Sequence, residues 1–308
     1  MADIVVVGSL NLDVSVRAEH LPRPGETVRA SGLELGPGGK GLNQALAAAR
    51  LGGRVQMVGS VGEDFFSQIP LAALREAGID TAHIASLEDE HTGTALISVD
   101  AQTGQNAISV AAGANRLVTP DQVRDAEEAF ESSCVVLVQL ELPLQTVETA
   151  LELGRRHSLT TVLDPAPFRE LPDSLLQKVD ILTPNETEAE SLSGRQVSDV
   201  DSGAAAGALL RARSGGDVIV TLGEQGCVWV HASGFEHVPA PAVEPVDTTG
   251  AGDAFNGGLA VALANGKALR DALDDAVRAG SAATLRVGAG AAMPTPQDVA
   301  RLAGAPSG

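Results

Sequence analysis

Aromatic side chains are almost missing from this chain. Its 308 residues include six Phe, one Trp and no Tyr, so aromatics make up only 2%. Hydrophobic residues still make up 44%, which is enough for a substantial core. That core must therefore be built mainly from Ala, Val, Leu and Ile. The length permits one large α/β domain or two smaller ones.

Basic residues are also few. The chain has 21 Lys and Arg against 40 Asp and Glu, a formal net charge of −19, and it has no basic run. A protein that binds duplex nucleic acid needs a basic face that neutralises phosphates. We therefore expect no nucleic-acid partner. The charge does not exclude the binding of a single nucleotide. The acidity favours solubility.

Only two cysteines occur, Cys134 and Cys227, and both lie inside apolar runs. Two such residues make neither a disulfide framework nor a metal site, and we predict two buried strand thiols. No stretch approaches the roughly 18 apolar residues of a membrane span. The N-terminal MADIVVVGS lacks the basic flank and length of a signal peptide, so a cytoplasmic protein without membrane contact is expected.

Short apolar runs alternate along the chain with longer helical patterns. The runs include DIVVVGS, VQMVGSV, CVVLVQL, TVLDP, DILTPN and DVIVTLG, and helical stretches such as NQALAAARL and LQTVETALELGRRH lie between them. This order predicts an α/β fold with a parallel sheet covered by helices on both faces. Several strands end in polar residues, and ligands of open α/β sheets bind at the carboxyl ends of the strands. That edge is the expected site.

Two segments, at about 14–34 and 90–112, do not follow this alternation of apolar runs and helical patterns. Both alternate apolar and polar residues, and DAQTGQ between two such runs reads as a hairpin turn. Alternation is typical of a small antiparallel sheet with one exposed face. We predict that the two segments pair into a lid.

The stretch GPGGKG, residues 36–41, matches the letters of a dinucleotide fingerprint. That fingerprint should follow the first strand directly, whereas GPGGKG follows a lid segment, and Lys40 is not followed by the Ser or Thr of a phosphate-binding loop. It can be a simple glycine turn that opens a helix. It can also place free amides at a helix start near a ligand, with Gly39 allowing close approach and Asn43 one turn along.

Asn11 and Asp13 follow the first strand with a spacing of two, which puts both side chains on one face. A carboxamide and a carboxylate together can donate to and accept from vicinal hydroxyl groups. The alternative is that both residues only favour a turn.

The stretch VDTTGAGDAFNGG, residues 246–258, combines a glycine turn with an Asp at a helix start. Gly250, Ala251 and Gly252 can let successive amides converge on a phosphoryl oxygen. Asp253 would then lie beside the phosphate, where a base must take a proton from an attacking hydroxyl. Asp253 can instead merely cap the helix, but capping explains neither the preceding glycines nor Asp247.

Two further strand ends carry candidates for nucleotide binding. Asn185 and Glu188 follow DILTP with a spacing that suits an outer-shell Mg²⁺ site, or equally a capped helix start. The stretch TLGEQG, 221–226, can hold a nucleotide or simply turn.

Together these residues resemble the ribokinase-like, or PfkB, family of carbohydrate kinases. The resemblance covers essentially the whole chain and depends most on GPGGKGLNQALAAARLG and DTTGAGDAFNGGLA, with support from GSLNLD, AAGAN, VQLELP and TPNETEAE. It implies a single catalytic domain over 1–308, with a three-layer α/β/α core, a mostly parallel central sheet and a small β-sheet lid. It also implies ATP-dependent phosphorylation of a sugar, with ribose expected, and a homodimer formed through the lid.

The resemblance also implies roles for individual residues. Asp253 would be the catalytic base, and Gly250, Ala251 and Gly252 the anion hole. The sugar-binding residues would be Asn11, Asp13, Gly39, Lys40, Gly41, Asn43, Glu141 and Asp253. The ATP-binding residues would be Asn185, Thr221, Gly223, Gly226 and Gly252, with Glu188 helping to place Mg²⁺. A monovalent cation, K⁺ first, would be held by Asp247, Thr249, Ala283, Arg286 and Gly288.

The chain departs from the family pattern at three positions. Val277 stands where the family usually has Asn or His near the adenine, Ala292 replaces a Ser that often closes the cation site, and Asp164 replaces the Asn of an NPAP sequence. Other acceptors stay open: deoxyribose, fructose, ketodeoxygluconate or a nucleoside. The alternatives from other classes are an NAD(P)-dependent dehydrogenase and a sugar-binding regulator without catalysis.

Overall fold

The computed structural model describes residues 3–303 and contains two β-sheets flanked by helices. The strands are β1 (Asp3–Val7), β2 (Asn11–Ala18), β3 (Ala30–Gly38), β4 (Arg54–Gly62), β5 (Asp80–Leu87), β6 (Gly93–Asp100), β7 (Asn106–Ala111), β8 (Val135–Val138), β9 (Thr160–Leu163), β10 (Ile181–Leu182), β11 (Asp217–Thr221), β12 (Cys227–His231) and β13 (Gly234–Val238). The helices are α1 (Lys40–Arg50), α2 (Gln68–Glu76), α3 (Pro120–Asp125), α4 (Glu127–Glu131), α5 (Leu144–Arg156), α6 (Asp173–Leu176), α7 (Glu186–Ser193), α8 (Val200–Ser214), α9 (Ala251–Ala264), α10 (Leu269–Ala283) and α11 (Pro296–Leu302).

The large sheet has nine strands in the order β13-β12-β11-β10-β9-β8-β1-β4-β5. The strands from β11 to β5 pair in parallel, and β12 and β13 add an antiparallel edge. The predicted α/β fold with a mostly parallel sheet is confirmed. All six apolar runs named above contain strands of this sheet.

Successive residues of β1 point to opposite sides of the sheet and belong to two separate cores. Val5 and Val7 pack in the core that includes α5 and α8, whereas Ile4 and Val6 pack in the core with α1, α9 and α10. The sheet is therefore the middle of three layers. Its parallel strands are buried on both faces, which explains why they read as continuous apolar runs.

The small sheet has four strands in the order β3-β2-β6-β7. Its β2–β3 and β6–β7 pairs are antiparallel, but β2 and β6 pair in parallel, so the expectation of a purely antiparallel sheet was wrong. The physical reason is the connection: α1, β4, α2 and β5 lie between the two hairpins, and a crossover of that length permits parallel pairing.

Two other local expectations were wrong. Residues 11 and 13 do not end the first strand, because β1 stops at Val7 and Asn11 begins β2 of the small sheet. Cys134 is exposed, because it lies just before β8 rather than within it, while Cys227 is buried as predicted. Residues 1–2 and 304–308 of the predicted domain lie outside the described residues. Across 3–303, no helix combines the length and apolar character needed to span a bilayer.

Candidate active site

The glycine turn before α9 leaves free amides at the helix start. Gly250 has a φ of 77°, and a Cβ there would lie 2.9 Å from the Met293 Cε atom, so the position requires glycine. Gly252 faces open space. Its amide and that of Asp253 have no acceptor among residues 3–303. The residues Gly250, Ala251 and Gly252 therefore form a turn that can receive an anion.

Asp253 lies in the first turn of α9 and is only 6% exposed. Its Oδ2 atom accepts a hydrogen bond of 3.0 Å from Asn43 Nδ2, and its Oδ1 atom accepts one of 3.1 Å from Gln44 Nε2. Burial raises the pKa of Asp253, while the Lys40 ammonium and these two amides act to lower it. The arrangement gives a buried carboxylate with a raised pKa, both oxygens of which accept hydrogen bonds.

The start of α1 lies directly against the loop that follows β1. Gly39 has a φ of 89°, and a Cβ on Gly41 would come within 2.5 Å of the Gly8 Cα atom. The amide of Gly41 donates to Ser9 Oγ at 3.2 Å, and the amide of Leu42 donates to the Ser9 carbonyl at 2.9 Å. The two glycines therefore permit the close approach that brings Asn43 to Asp253.

Glu141 and Lys40 connect this helix start to the ends of two strands. Glu141 Oε2 accepts from the Lys40 amide at 3.0 Å and from the Ser9 hydroxyl. The Lys40 Nζ atom lies 3.9 Å from Asp164 Oδ2. Burial alone would lower the pKa of Lys40, but the surrounding carboxylates, Asp164 first, raise it above its ordinary value. Lys40 is the cation of an acidic cluster.

Asn11 and Asp13 lie on one face of β2, as predicted. Asn11 Oδ1 accepts from Asn115 Nδ2 at 2.7 Å. The Asp13 carboxylate lies over Gly38, where a side chain would collide with it. Burial, then the charges of Glu141 and Asp253, raise the pKa of Asp13 to about 6. The small sheet thus brings a second carboxylate into the field of Asp253.

The predicted nucleotide-binding residues lie together at the ends of β10 and β11. Asn185 and Thr221 form an isolated parallel bridge, and the Leu222 amide donates to the Gly226 carbonyl at 2.8 Å. Gly223 is exposed with a φ of 53°, and Gly226, with a φ of 88°, has no room for a side chain. These strand ends are joined to α9 through Thr183, whose hydroxyl donates to Asn256 Oδ1 at 2.8 Å.

Asn185 and Glu188 form a capping box at the start of α7. Asn185 Oδ1 accepts from the Glu188 amide at 2.9 Å, and Glu188 Oε2 accepts from the Asn185 amide at 3.0 Å. Burial raises the pKa of Glu188, and its charge interacts with those of Lys40 and Asp253. The capped helix start is therefore present, and the same carboxylate also faces the site.

The residues predicted to hold a monovalent cation lie beside the glycine turn. Asp247 Oδ1 accepts from the amide and the hydroxyl of Thr249 at 2.9 and 2.6 Å, and Oδ2 accepts from the Gly288 amide at 2.9 Å. Partial burial acts to raise the pKa of Asp247, but these hydrogen bonds outweigh it and hold the pKa below its ordinary value. The Ala283 carbonyl accepts from the Arg286 amide at 3.3 Å.

The carbonyl oxygens of Arg286 and Gly288 accept no hydrogen bond from residues 3–303. They can serve as ligands for a cation. Two departures from the family pattern are buried: Val277 is 6% exposed within α10, and Ala292 is fully buried. Neither side chain offers a polar contact.

Three buried polar residues beneath the site were not among the predicted site residues. Gln44, Gln139 and Asp164 are each at most 4% exposed, and Gln44 donates to Asp164 Oδ2 at 2.8 Å while it accepts from Gln139 Nε2 at 2.6 Å. One available signal was Gln44 itself, a polar residue inside the otherwise apolar stretch LNQALAAA. Its partners lie 95 and 120 residues away and left no local pattern.

Comparison with known proteins identifies one family over nearly the whole chain. Residues 1–296 match the pfkB family carbohydrate kinase. The ribokinase of Haemophilus influenzae is 39% identical over 300 residues, which cover 96% of each chain. The deoxyribokinase of Salmonella typhi is 40% identical over 256 residues, or 83% of each. Ribokinase of Arabidopsis thaliana, solved with ribose and ATP, is 33% identical with a TM-score of 0.90 and covers 98% of this chain and 99% of that one.

Proposed function

This chain belongs to the pfkB family of carbohydrate kinases, and we propose that it transfers the γ-phosphoryl group of ATP to the 5-hydroxyl group of D-ribose. The observation that carries the proposal is Asp253, a buried carboxylate held by two amides beside the free N–H groups at the start of α9. A base next to an anion-binding turn is the arrangement that phosphoryl transfer to an alcohol requires.

The proposed reaction is an in-line displacement. The sugar oxygen forms a bond to the γ-phosphorus while the bond from that phosphorus to the β,γ-bridging oxygen breaks, and ADP leaves. The proton of the sugar hydroxyl passes to the Asp253 carboxylate. The amides of Gly252 and Asp253 donate to the phosphoryl oxygens, and the small sheet would act as the lid that excludes water. Positioning and electrostatics account for most of the rate.

The sugar would bind between the small sheet and the start of α1. Asn11, Asp13 and Asn43 offer both acceptors and donors to a polyhydroxylated ring, with Glu141 and the glycines at 39 and 41 around them. Asn43 Oδ1 is buried and has no hydrogen-bond donor among residues 3–303. An unpartnered buried oxygen is costly unless a ligand satisfies it, and a sugar hydroxyl can do so.

Mg²⁺ is part of this proposal as the partner of ATP. No group of three His, Cys, Asp or Glu side chains within 3–303 forms a metal site of its own. That fits Mg²⁺, which is commonly bound through phosphate oxygens, waters and one or two carboxylates. Glu188 would help to place it, and the ion would neutralise charge on the transferring phosphoryl group.

We propose K⁺ as an activating cation beside the glycine turn. Its ligands would come from Asp247, Thr249 and the backbone of 283–288, where the carbonyls of Arg286 and Gly288 are free. The proposal also includes a cytoplasmic location and a homodimer formed through the small sheet.

The test is ADP release by the purified protein with Mg²⁺ and ATP across ribose, deoxyribose, fructose, ketodeoxygluconate, adenosine and pseudouridine, in K⁺ and in Na⁺. We expect ribose to be the best substrate and K⁺ to exceed Na⁺. Deoxyribose is the second candidate, because the Salmonella typhi relative is named deoxyribokinase. Turnover of deoxyribose above ribose would reverse the assignment of the sugar but leave the kinase intact. Sugar binding without ADP release would favour the regulator.

The matched control in that assay is Asp253→Asn, which keeps the size of the side chain and removes the base. We expect turnover to fall by about 10²–10⁴-fold, the usual contribution of general base catalysis, with little change in sugar affinity. Near-normal turnover of this variant would contradict the proposed mechanism.

A further inference from the structure

Gln44 lies fully buried between two carboxylates in the second turn of α1. Its Nε2 group has two hydrogens, and each has its own acceptor: Asp253 Oδ1 at 3.1 Å and Asp164 Oδ2 at 2.8 Å. The two carboxylates belong to different parts of the chain, Asp253 to α9 and Asp164 to the segment after β9. Gln44 is therefore the direct hydrogen-bonded link between them.

The Gln44 amide oxygen has a partner of its own in Gln139. Gln139 Nε2 donates to Gln44 Oε1 at 2.6 Å, and Gln139 is itself fully buried. Rotating the Gln44 amide by half a turn would direct its oxygen at the Asp253 carboxylate and its NH₂ group at the NH₂ group of Gln139. Both contacts would be repulsive, so one orientation is strongly favoured.

This orientation matters for the proposed base. Asn43 donates to Oδ2 of Asp253 and Gln44 donates to Oδ1, so each carboxylate oxygen accepts one buried hydrogen bond. Hydrogen bonds to a carboxylate stabilise its charged form and so oppose the effect of burial. They also fix the plane of the carboxylate, and misplacement of a catalytic group by about 1 Å can cost 10²-fold in rate.

We propose that Gln44 is a positioning residue for phosphoryl transfer, which holds the Asp253 carboxylate charged and in one orientation, and that Gln139 acts on the reaction only by fixing the Gln44 amide. This inference rests on the proposed function of Asp253. Gln44 acts on the reaction through the Asp253 carboxylate, to which it donates a hydrogen bond.

The test compares Gln44→Met, Gln139→Met and the double variant, because methionine keeps the length of glutamine and removes its donors and acceptor. We expect Gln44→Met to lower kcat by about tenfold or more, and Gln139→Met to lower it less. The KM for the sugar should stay unchanged, because Asn11, Asp13 and Glu141 make no hydrogen bond to Gln44. The kcat of the double variant should be no lower than that of Gln44→Met alone, because Gln139 acts only through Gln44.

The pH profile provides a readout that a purely structural role would not change. Removing the Gln44 donor raises the pKa of Asp253, so the acidic limb of kcat/KM should move to higher pH in Gln44→Met. The matched control is Gln122→Met, which removes hydrogen bonds to Ser60 and the Gly59 carbonyl away from the site and should leave the acidic limb unchanged. An unchanged profile in Gln44→Met, or additive losses in the double variant, would overturn the inference.

A second measurement separates this inference from the proposed function. The ionisation of Asp253 can be followed by ¹³C NMR of labelled aspartate carboxyl groups, with Asp253→Asn providing the assignment. If the wild-type protein phosphorylates none of the substrates, the proposed function fails, but a higher Asp253 pKa in Gln44→Met still supports the role of Gln44. An equal pKa in both proteins contradicts that role whatever the activity.

Discussion

At the scale of single residues, the main feature of the site is an excess of buried carboxylates. Asp164 and Asp253 share one ammonium group, that of Lys40, and the partly buried Asp13 feels the charge of Asp253. The pKa values of all three aspartates are raised, in each case chiefly by burial. Asp164 is the extreme case: burial raises its pKa to about 8 even though Lys40 acts to lower it. Glu188 and Asp253 add to the negative potential at Asp164. This density of negative charge makes Lys40 and the amide donors necessary.

Because the pKa of Asp164 is raised, we expect the free energy of unfolding to depend on pH. Its folded-state pKa of about 8 is higher than its ordinary value of 3.8, so the folded protein retains a proton that the unfolded chain releases. The stabilisation is complete below about pH 4 and is lost as the pH rises toward 8. Asp164→Asn cannot ionise, so the wild type should lose stability relative to this variant across that range. Urea unfolding at several pH values measures the difference, and a gap that does not change with pH would contradict the prediction.

Some site residues could be predicted from the sequence and others could not. Asp253 could be predicted because its turn, its helix and its acidic side chain lie within one short stretch. Gln44 and Asp164 could not, because their roles come from contacts made only after α1, α9 and the strand ends have packed together. Asn11 and Asp13 were assigned to the correct face but to the wrong strand, because alternation does not reveal where a chain leaves one sheet for another.

At the scale of elements, the site depends on how closely α1 and α9 approach. The two helices pack directly, and Gly257 lies at their contact. A Cβ at this position would lie 2.5 Å from the Ala47 Cβ atom and 2.9 Å from the backbone nitrogen of Ala48. Small residues on both helices therefore set the distance between Asn43 and Asp253.

Gly257→Ala should push these helices apart. We expect a loss of about 1–3 kcal/mol in the free energy of unfolding, typical of an overpacked core, together with a lower kcat. Gly203→Ala in α8 is the control, since its new methyl group would meet only the flexible end of Leu222, at 3.3 Å. Denaturant unfolding and ADP release check both variants. Equal stability of the two would show that the α1–α9 contact can relax.

At the scale of the whole molecule, the small sheet has one apolar face with no partner within residues 3–303. Leu33, Leu35 and Leu96 share the face opposite Asn11 and Asp13, and they are 64%, 48% and 57% exposed. Contiguous exposed apolar side chains are typical of an interaction surface. A second copy of the chain docked there would cover this face.

The proposed homodimer predicts that substitutions on this face lower the mass of the protein in solution. Leu33→Asp together with Leu96→Asp should convert a dimer to a monomer in sedimentation velocity, because it places charges in an apolar interface. Leu209→Asp, on the exposed side of α8, is the control and should leave the dimer intact. A wild-type protein that sediments as a monomer would exclude this interface.

The order of the strands has a consequence for synthesis of the protein. β1 emerges from the ribosome before the other strands of the large sheet, yet it lies inside that sheet between β4 and β8. Asn43 and Gln44 emerge more than two hundred residues before the carboxylate that they bind. Asp253 enters only with α9, after every strand of both sheets has been made. A chain whose translation stops before α9 therefore lacks the base together with α9 and α10, which pack on one face of the large sheet. Such products cannot catalyse the proposed transfer.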